Sequence, residues 1–170
     1  MTGHHAGPRS NADAGANSSV DPSANSFDHA LESLRAGEPI LVHEEAYREG
    51  ETDLIYHADS VTPEAVARLR NDAGGLICVA LGHDTAEAFD LPFYSDVIDH
   101  PATADHELGY DDRSSFSLTV NHRDTYTGIT DDDRSTTIRA LGDAAAAPDE
   151  TEFAAEFRVP GHVHLLKAAP

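Results

Sequence analysis

Three short stretches carry the side chains best suited to chemistry. The first is Glu44-Glu45-Ala46-Tyr47-Arg48-Glu49-Gly50-Glu51-Thr52-Asp53, where carboxylates crowd around one Arg between two apolar runs. Crowded carboxylates repel one another unless a cation or an Arg holds them. A hard divalent cation such as Mg²⁺ takes oxygen ligands, often only one or two from protein. Arg48 suits a phosphate or carboxylate on a ligand. The competing reading is a solvated acidic loop in an acidic protein. The second stretch is Thr127-Gly128-Ile129-Thr130. Gly128 lets the backbone turn and present N–H groups to an anion, and a helix start follows. Asp131 to Asp133 would repel an anion there unless they cap the helix, so a plain turn with an acidic cap competes. The third is Pro160-Gly161-His162, in which a turn could present an imidazole for general acid–base work. The chain has 11 His, so a structural or surface role stands beside that one.

These stretches must be positioned by the elements around them. Ser26 reads as an N-cap for a helix whose apolar face is Phe27, Ala30, Leu31 and Leu34, stopped by Gly37. Pro39 to Val42 and Leu54 to Tyr56 read as strands flanking the acidic loop. Thr62-Pro63-Glu64 is a helix start with Val66 and Leu69 on its buried face, ended by Gly74-Gly75. Leu76 to Leu81 is a continuous apolar run, expected as a strand buried on both faces. Cys78 lies in it as a small buried hydrophobe. Residues 95–114 read as a long surface excursion. Phe116, Leu118 and Val120 alternate with Ser117, Thr119 and Asn121, a half-buried strand. A helix is expected from about Arg134 to Leu141, a loop over Ala144 to Glu150, and a short helix over Phe153 to Phe157. A turn over Val159 to His162 then leads to a final strand, Val163 to Leu166. The pattern predicts one α/β (α+β) domain, a mixed sheet with flanking helices, over residues 27–170. Residues 1–26 are rich in Gly, Ala, Ser, Asn and Pro and are expected to be a disordered tail.

Composition narrows the functional classes. The 170 residues hold 11 Lys+Arg and 31 Asp+Glu, a formal charge of −20. So negative a surface repels nucleic acid and anionic membranes. No apolar run reaches the length of a spanning helix. Ten of the basic residues are Arg and the single Lys is Lys167. An acidic, Lys-poor chain is expected to be halophilic, because molar salt shortens the Debye length to about 3 Å and screens self-repulsion. One cysteine excludes an intrachain disulfide. The N-terminus lacks the apolar segment of a secretion signal, so a cytoplasmic protein is the default expectation.

Taken together, the ordered segments resemble the 3,4-dihydroxy-2-butanone 4-phosphate synthases, in their archaeal form. The segments are Arg48-Glu49-Gly50-Glu51-Thr52-Asp53, Val61-Thr62-Pro63-Glu64, Gly75-Leu76-Ile77-Cys78-Val79, Thr127-Gly128-Ile129-Thr130, Asp133-Arg134-Ser135-Thr136-Thr137-Ile138 and Pro160-Gly161-His162-Val163. The resemblance implies a riboflavin-pathway lyase that converts D-ribulose 5-phosphate to 3,4-dihydroxy-2-butanone 4-phosphate and formate with Mg²⁺ or Mn²⁺. It implies that Glu49 binds metal and substrate, that Arg48 contacts substrate, and that Asp53 binds the sugar and helps to move protons. It also implies that His162 is required for activity, that Thr127 lines the substrate site, and that the chain pairs as a homodimer. In the family an Arg-x-Gly-His-Thr-Glu segment and a further Glu come later, supplying a second metal-binding His and substrate contacts. This chain reaches Pro170 before them. The expectation is therefore a domain missing its C-terminal part, with a non-catalytic phosphosugar- or metal-binding module as the alternative to an active lyase.

Overall fold

A computed structural model of the chain describes residues 22–43, 50–103, 109 and 113–170. Among them are six α-helices: α1 (Pro22–Arg35), α2 (Pro63–Arg68), α3 (His83–Ala88), α4 (Tyr94–Val97), α5 (Asp131–Ala145) and α6 (Glu150–Glu156). Five strands accompany them: β1 (Ile40–His43), β2 (Thr52–Ile55), β3 (Cys78–Leu81), β4 (Phe116–His122) and β5 (Phe157–Lys167). Strands β1 and β2 form an antiparallel pair. The other three form a mixed sheet in the order β3-β5-β4, with β3 parallel and β4 antiparallel to β5. This is the mixed α/β architecture expected from the sequence.

Local chemistry explains most of the boundaries. Thr62 caps α2 by accepting the Ala65 N–H at 3.2 Å, with Pro63 in the first turn. A single π-turn over Leu69–Ala73 follows, closed by Gly74 at φ +71°. Thr130 caps α5 by accepting the Asp133 N–H at 3.1 Å. Asp131, Asp132 and Asp133 fill the first turn, where acids meet the helix's positive end. This helix starts before the expected Arg134 and runs on through Ala144 and Ala145, which had been expected in a loop. Alanine, the best helix former, sustains it. Asp149 caps α6 through the Glu152 N–H at 3.0 Å.

Four further expectations are corrected. Helix α1 begins at Pro22, so Ser26 lies within it, and Phe27 on its expected apolar face is 69% exposed. Strand β3 is an edge of the sheet and buries one face only: Val79 and Leu81 are buried, Ala80 is exposed and Cys78 is half-buried. Helices α3 and α4 occupy a region for which no helix was expected. The Pro-Gly stretch is no turn between elements but lies inside β5, where the Val159–Pro160 peptide is cis and the β4–β5 register slips between Val120 and Asn121. Proline gives the ladder no N–H, so the irregularity falls where the pairing is already broken.

The core joins Val79, Leu81, Val120, Val163 and Leu165 of the sheet to Val66, Ile138 and Leu141 of the helices. Phe153 lies between Phe89 and Phe157 with ring centroids 4.8 Å from each. Lys167 is buried at the end of β5, where its ammonium donates to the Glu87 carboxylate and the Leu91 carbonyl. That ammonium holds the Glu87 carboxyl below its ordinary range. No described helix is long and apolar enough to cross a membrane.

Candidate active site

Strand alternation places His162 and His164 on one side of β5, with Val163 and Leu165 buried on the other. His162 is exposed, yet its placement is fixed by buried Asn121 on β4. The His162 main-chain N–H donates to Asn121 Oδ1 at 2.8 Å, and Asn121 Nδ2 stands 3.3 Å from His162 Nδ1. The first bond settles which end of the amide is oxygen, so Nδ2 is the donor to the ring. The neutral imidazole therefore carries its proton on Nε2, and its orientation is set before any ligand arrives. Gly161 makes this approach possible. A Cβ there would stand 1.9 Å from the Val120 carbonyl carbon. Its N–H donates to Thr119 Oγ1 at 3.2 Å.

The turn over residues 126–130 closes against the same Asn121, whose Nδ2 also reaches the Thr127 carbonyl at 3.4 Å. The anion for this turn is supplied from within the chain. Asp133 Oδ2 accepts the Gly128 N–H at 2.8 Å, the Thr127 N–H at 3.0 Å and the Thr127 hydroxyl at 3.1 Å. Burial pushes the Asp133 carboxyl up, but these donors together with the Tyr126 N–H outweigh it and hold the group below its ordinary value. The open nest considered for an external anion is thus filled by a side chain. Thr127 remains exposed beside His162, but its own donors are committed to Asp133. Gly128 has φ +76° and lies so close to Asn121 that a Cβ would fall within 2.0–2.3 Å of the side-chain amide.

Two polar groups near this corner lack partners. His164 Nδ1 and Arg134 Nε are buried without a hydrogen bond. A buried donor left unmade costs roughly 1–3 kcal/mol. Burial first, then the nearby Arg134 and His162, hold the His164 imidazole below its ordinary value.

Asp53 stands on the exposed β2 and faces a cleft of about 780 Å³ lined also by Thr52, Cys78, Arg113, Ser115, Phe116 and Leu166. Cys78 pairs in register with His164, so the cleft lies beside the histidine-bearing side of the sheet. Burial and the Asp53 carboxylate push the Cys78 thiol up. Next to Asp53 on the hairpin, His43 Nδ1 and Thr52 Oγ1 are 2.8 Å apart. Arg48 and Glu49 lie outside the described residues. The polar lining of the cleft is largely oxygen, in kind what a hard cation prefers. Among the described residues, however, no three ligating side chains converge, so these residues alone do not make a metal centre.

The structure thus brings His162 and Thr127 together around Asn121, and sets Asp53 across a cleft that touches the same sheet. Asn121, Asp133, Arg134 and His164 were not singled out as site residues from sequence. The usable signal was the His-x-His spacing, which on a strand puts both rings on one side.

A family model described as 3,4-dihydroxy-2-butanone 4-phosphate synthase matches residues 28–170. Relatives of that name from Archaeoglobus fulgidus and Methanothermobacter thermautotrophicus are 47% and 43% identical to this chain, covering 84% and 82% of it. The chain spans 65% of the length of each. A Bacillus subtilis riboflavin biosynthesis protein is 32% identical over 84% of this chain and 32% of its own length. A crystal structure of a 3,4-dihydroxy-2-butanone 4-phosphate synthase in complex with two magnesium ions superposes with a TM-score of 0.66 at 32% identity. That match covers 84% of this chain and 60% of the other.

Proposed function

The chain belongs to the 3,4-dihydroxy-2-butanone 4-phosphate synthase family, and on that premise we propose that it serves riboflavin biosynthesis by converting D-ribulose 5-phosphate to 3,4-dihydroxy-2-butanone 4-phosphate and formate. The observation that carries the reading is the clamp of Asn121 on His162. The reaction begins with removal of a proton beside a carbonyl and needs a donor for the oxygen on which charge develops. His162 offers an Nε2–H in a fixed direction and serves as that donor. Asp53, in the cleft beside the same sheet, serves as the proton acceptor and binds the sugar hydroxyls. Arg48 and Thr127 complete the substrate contacts. Glu49 is the protein ligand of a divalent cation, Mg²⁺ or Mn²⁺, which when bound polarises the sugar oxygens.

The test is formate release from ribulose 5-phosphate with added Mg²⁺ or Mn²⁺, repeated with a chelator. Release that stops with the chelator and with His162→Gln supports the lyase. Substrate-induced stabilisation without formate supports a binding module derived from it. Formate from a chain that also carries a family-like C-terminal segment, but none from residues 1–170, shows that turnover needs groups outside residues 1–170.

Three further parts belong to the same proposal. The protein is a homodimer, for which exposed Leu41, Leu76 and Phe116 provide apolar surface; a monomeric mass in light scattering would refute this. It is a cytoplasmic protein. It is also halophilic, on the strength of its charge of −20, and its melting temperature rises from dilute buffer to molar KCl.

A further inference from the structure

The segment from Arg123 to Thr130 joins β4 to α5 and belongs to no helix or strand. A segment without a ladder must find partners for its backbone groups elsewhere. On one side it finds an anion: Asp133 accepts the N–H groups of Tyr126, Thr127 and Gly128. On the other side it finds a cation. Arg158 Nη2 donates to the Arg123 carbonyl at 3.0 Å and to the Thr125 carbonyl at 2.7 Å. Asn121 Nδ2 reaches the next alternate carbonyl, that of Thr127. Each charge meets the end of the peptide dipole that it favours, so both sets of bonds are charge-assisted. Arg158 makes no ion pair with a described carboxylate, although the chain has 31. Its charge is directed at carbonyls instead.

The place of Arg158 in the sheet gives this hold a direction. Arg158 stands opposite Asn121 in the β4–β5 register, and His162 follows four residues later on the same strand. The Asn121 side chain holds His162. One cross-strand pair therefore fixes the His162 imidazole and the turn that carries Thr127.

We propose that Arg158 is a positioning residue of the substrate site, setting the spacing between Thr127 and His162 through the carbonyls of Arg123 and Thr125. This rests on the reading of Thr127 and His162 as substrate contacts above and adds the group that holds them in register. Nη2 carries two protons and gives one to each carbonyl. Lysine keeps the charge on a shorter stem, whereas methionine keeps only an apolar stem.

The first measurement is amide hydrogen exchange in the full chain. In Arg158→Met, exchange at Thr127 and Gly128 is expected to quicken by about tenfold or more, the loss of one charge-assisted contact. The amides of buried Val163 and Leu165 should exchange as in the wild type, because the opening is local. Arg158→Lys falls between, and it carries the comparison if Arg158→Met does not fold. The second measurement is formate release from ribulose 5-phosphate with Mg²⁺. KM should rise by about tenfold in Arg158→Met. The same change made in Thr127→Val should cost little more, since one residue acts through the other. Unchanged exchange at Thr127 and Gly128, or faster exchange throughout the sheet, overturns the proposal. So does an equal rise in KM on both backgrounds. Turnover with KM indifferent to Arg158→Met removes Arg158 and leaves the lyase standing. Quickened exchange confined to the turn, in a chain without turnover, supports the hold of Arg158 and counts against the lyase instead.

Discussion

The corner around Asn121 and the β1–β2 hairpin present the two halves of the proposed chemistry on opposite terms. At the corner, a side-chain amide, a carboxylate and two closely packed glycines determine where His162 points. On the hairpin, Val42, His43, Thr52 and Asp53 are all exposed, and Asp53 has open cleft before it. The contrast separates groups fixed by folding from groups that ligands must organise. A preorganised donor costs nothing to orient at the moment of reaction. An exposed carboxylate adapts to what it binds. Substitutions at the corner should therefore cost stability and activity together, whereas those on the hairpin should cost activity alone.

The largest effect is expected from Gly161→Ala. The new Cβ would meet backbone atoms of Val120 and Asn121 at 1.9–2.3 Å, and β4 and β5 cannot separate without breaking their ladder. A loss of about 3 kcal/mol is expected, at the upper end of overpacking costs, read as a lower denaturant midpoint at an unchanged slope. A variant as stable as the wild type would show that the corner is slack and would erase the contrast with the hairpin.

Asn121→Ala comes next. It leaves the His162 N–H without its acceptor and frees the ring, a cost of roughly 1–3 kcal/mol. Turnover should fall further than a general loss of stability explains, with the loss chiefly in kcat. Equal losses in Asn121→Ala and in a buried substitution away from the corner, such as Ile138→Val, would assign Asn121 to packing alone.

Residue chemistry foretold some of this and missed the rest for physical reasons. The Thr62-Pro63 start held because a cap is decided within four residues. The acids after Thr130 are expected from sequence to cap the helix, but Thr130 itself is the cap, and Asp133 instead closes the preceding turn. The in-strand Pro160-Gly161 could not be read locally. A Pro-Gly pair ordinarily signals a turn, and only pairing with β4 makes it part of a strand. The burial of Lys167 could not be read locally either, because its acceptors, Glu87 on α3 and the Leu91 carbonyl beyond it, are distant in the chain. Asn121 alternates like any outward polar residue, and its partner is 41 residues away.

A smaller effect distinguishes the two regions by pH. His164 is held below its ordinary value by burial, Arg134 and His162. Below about pH 6.5 the unfolded chain takes up a proton there that the folded chain resists, so this contribution to stability is present above that pH and lost as pH falls. The wild type should lose more stability than His164→Phe between about pH 7 and pH 5.5. The same comparison made on Asp53→Asn should match the wild type over this window. An acid response identical in His164→Phe and wild type would place the sensitivity elsewhere among the histidines.

The smallest effect on stability, and the sharpest division between the regions, is expected for Asp53→Asn. Asp53 is exposed, lies on a two-stranded hairpin and belongs to no described salt bridge. Replacing its carboxylate by an amide of the same shape should move unfolding by less than about 0.5 kcal/mol, as for surface changes generally. If the carboxylate accepts the substrate's proton, formate release should nonetheless fall by about a hundredfold or more, within the range that general bases supply. Substrate binding should weaken less, because the amide still hydrogen-bonds a sugar hydroxyl. Turnover near the wild-type level would remove Asp53 from the chemistry and leave the hairpin a scaffold. A marked loss of stability would show instead that folding fixes the hairpin as firmly as the corner.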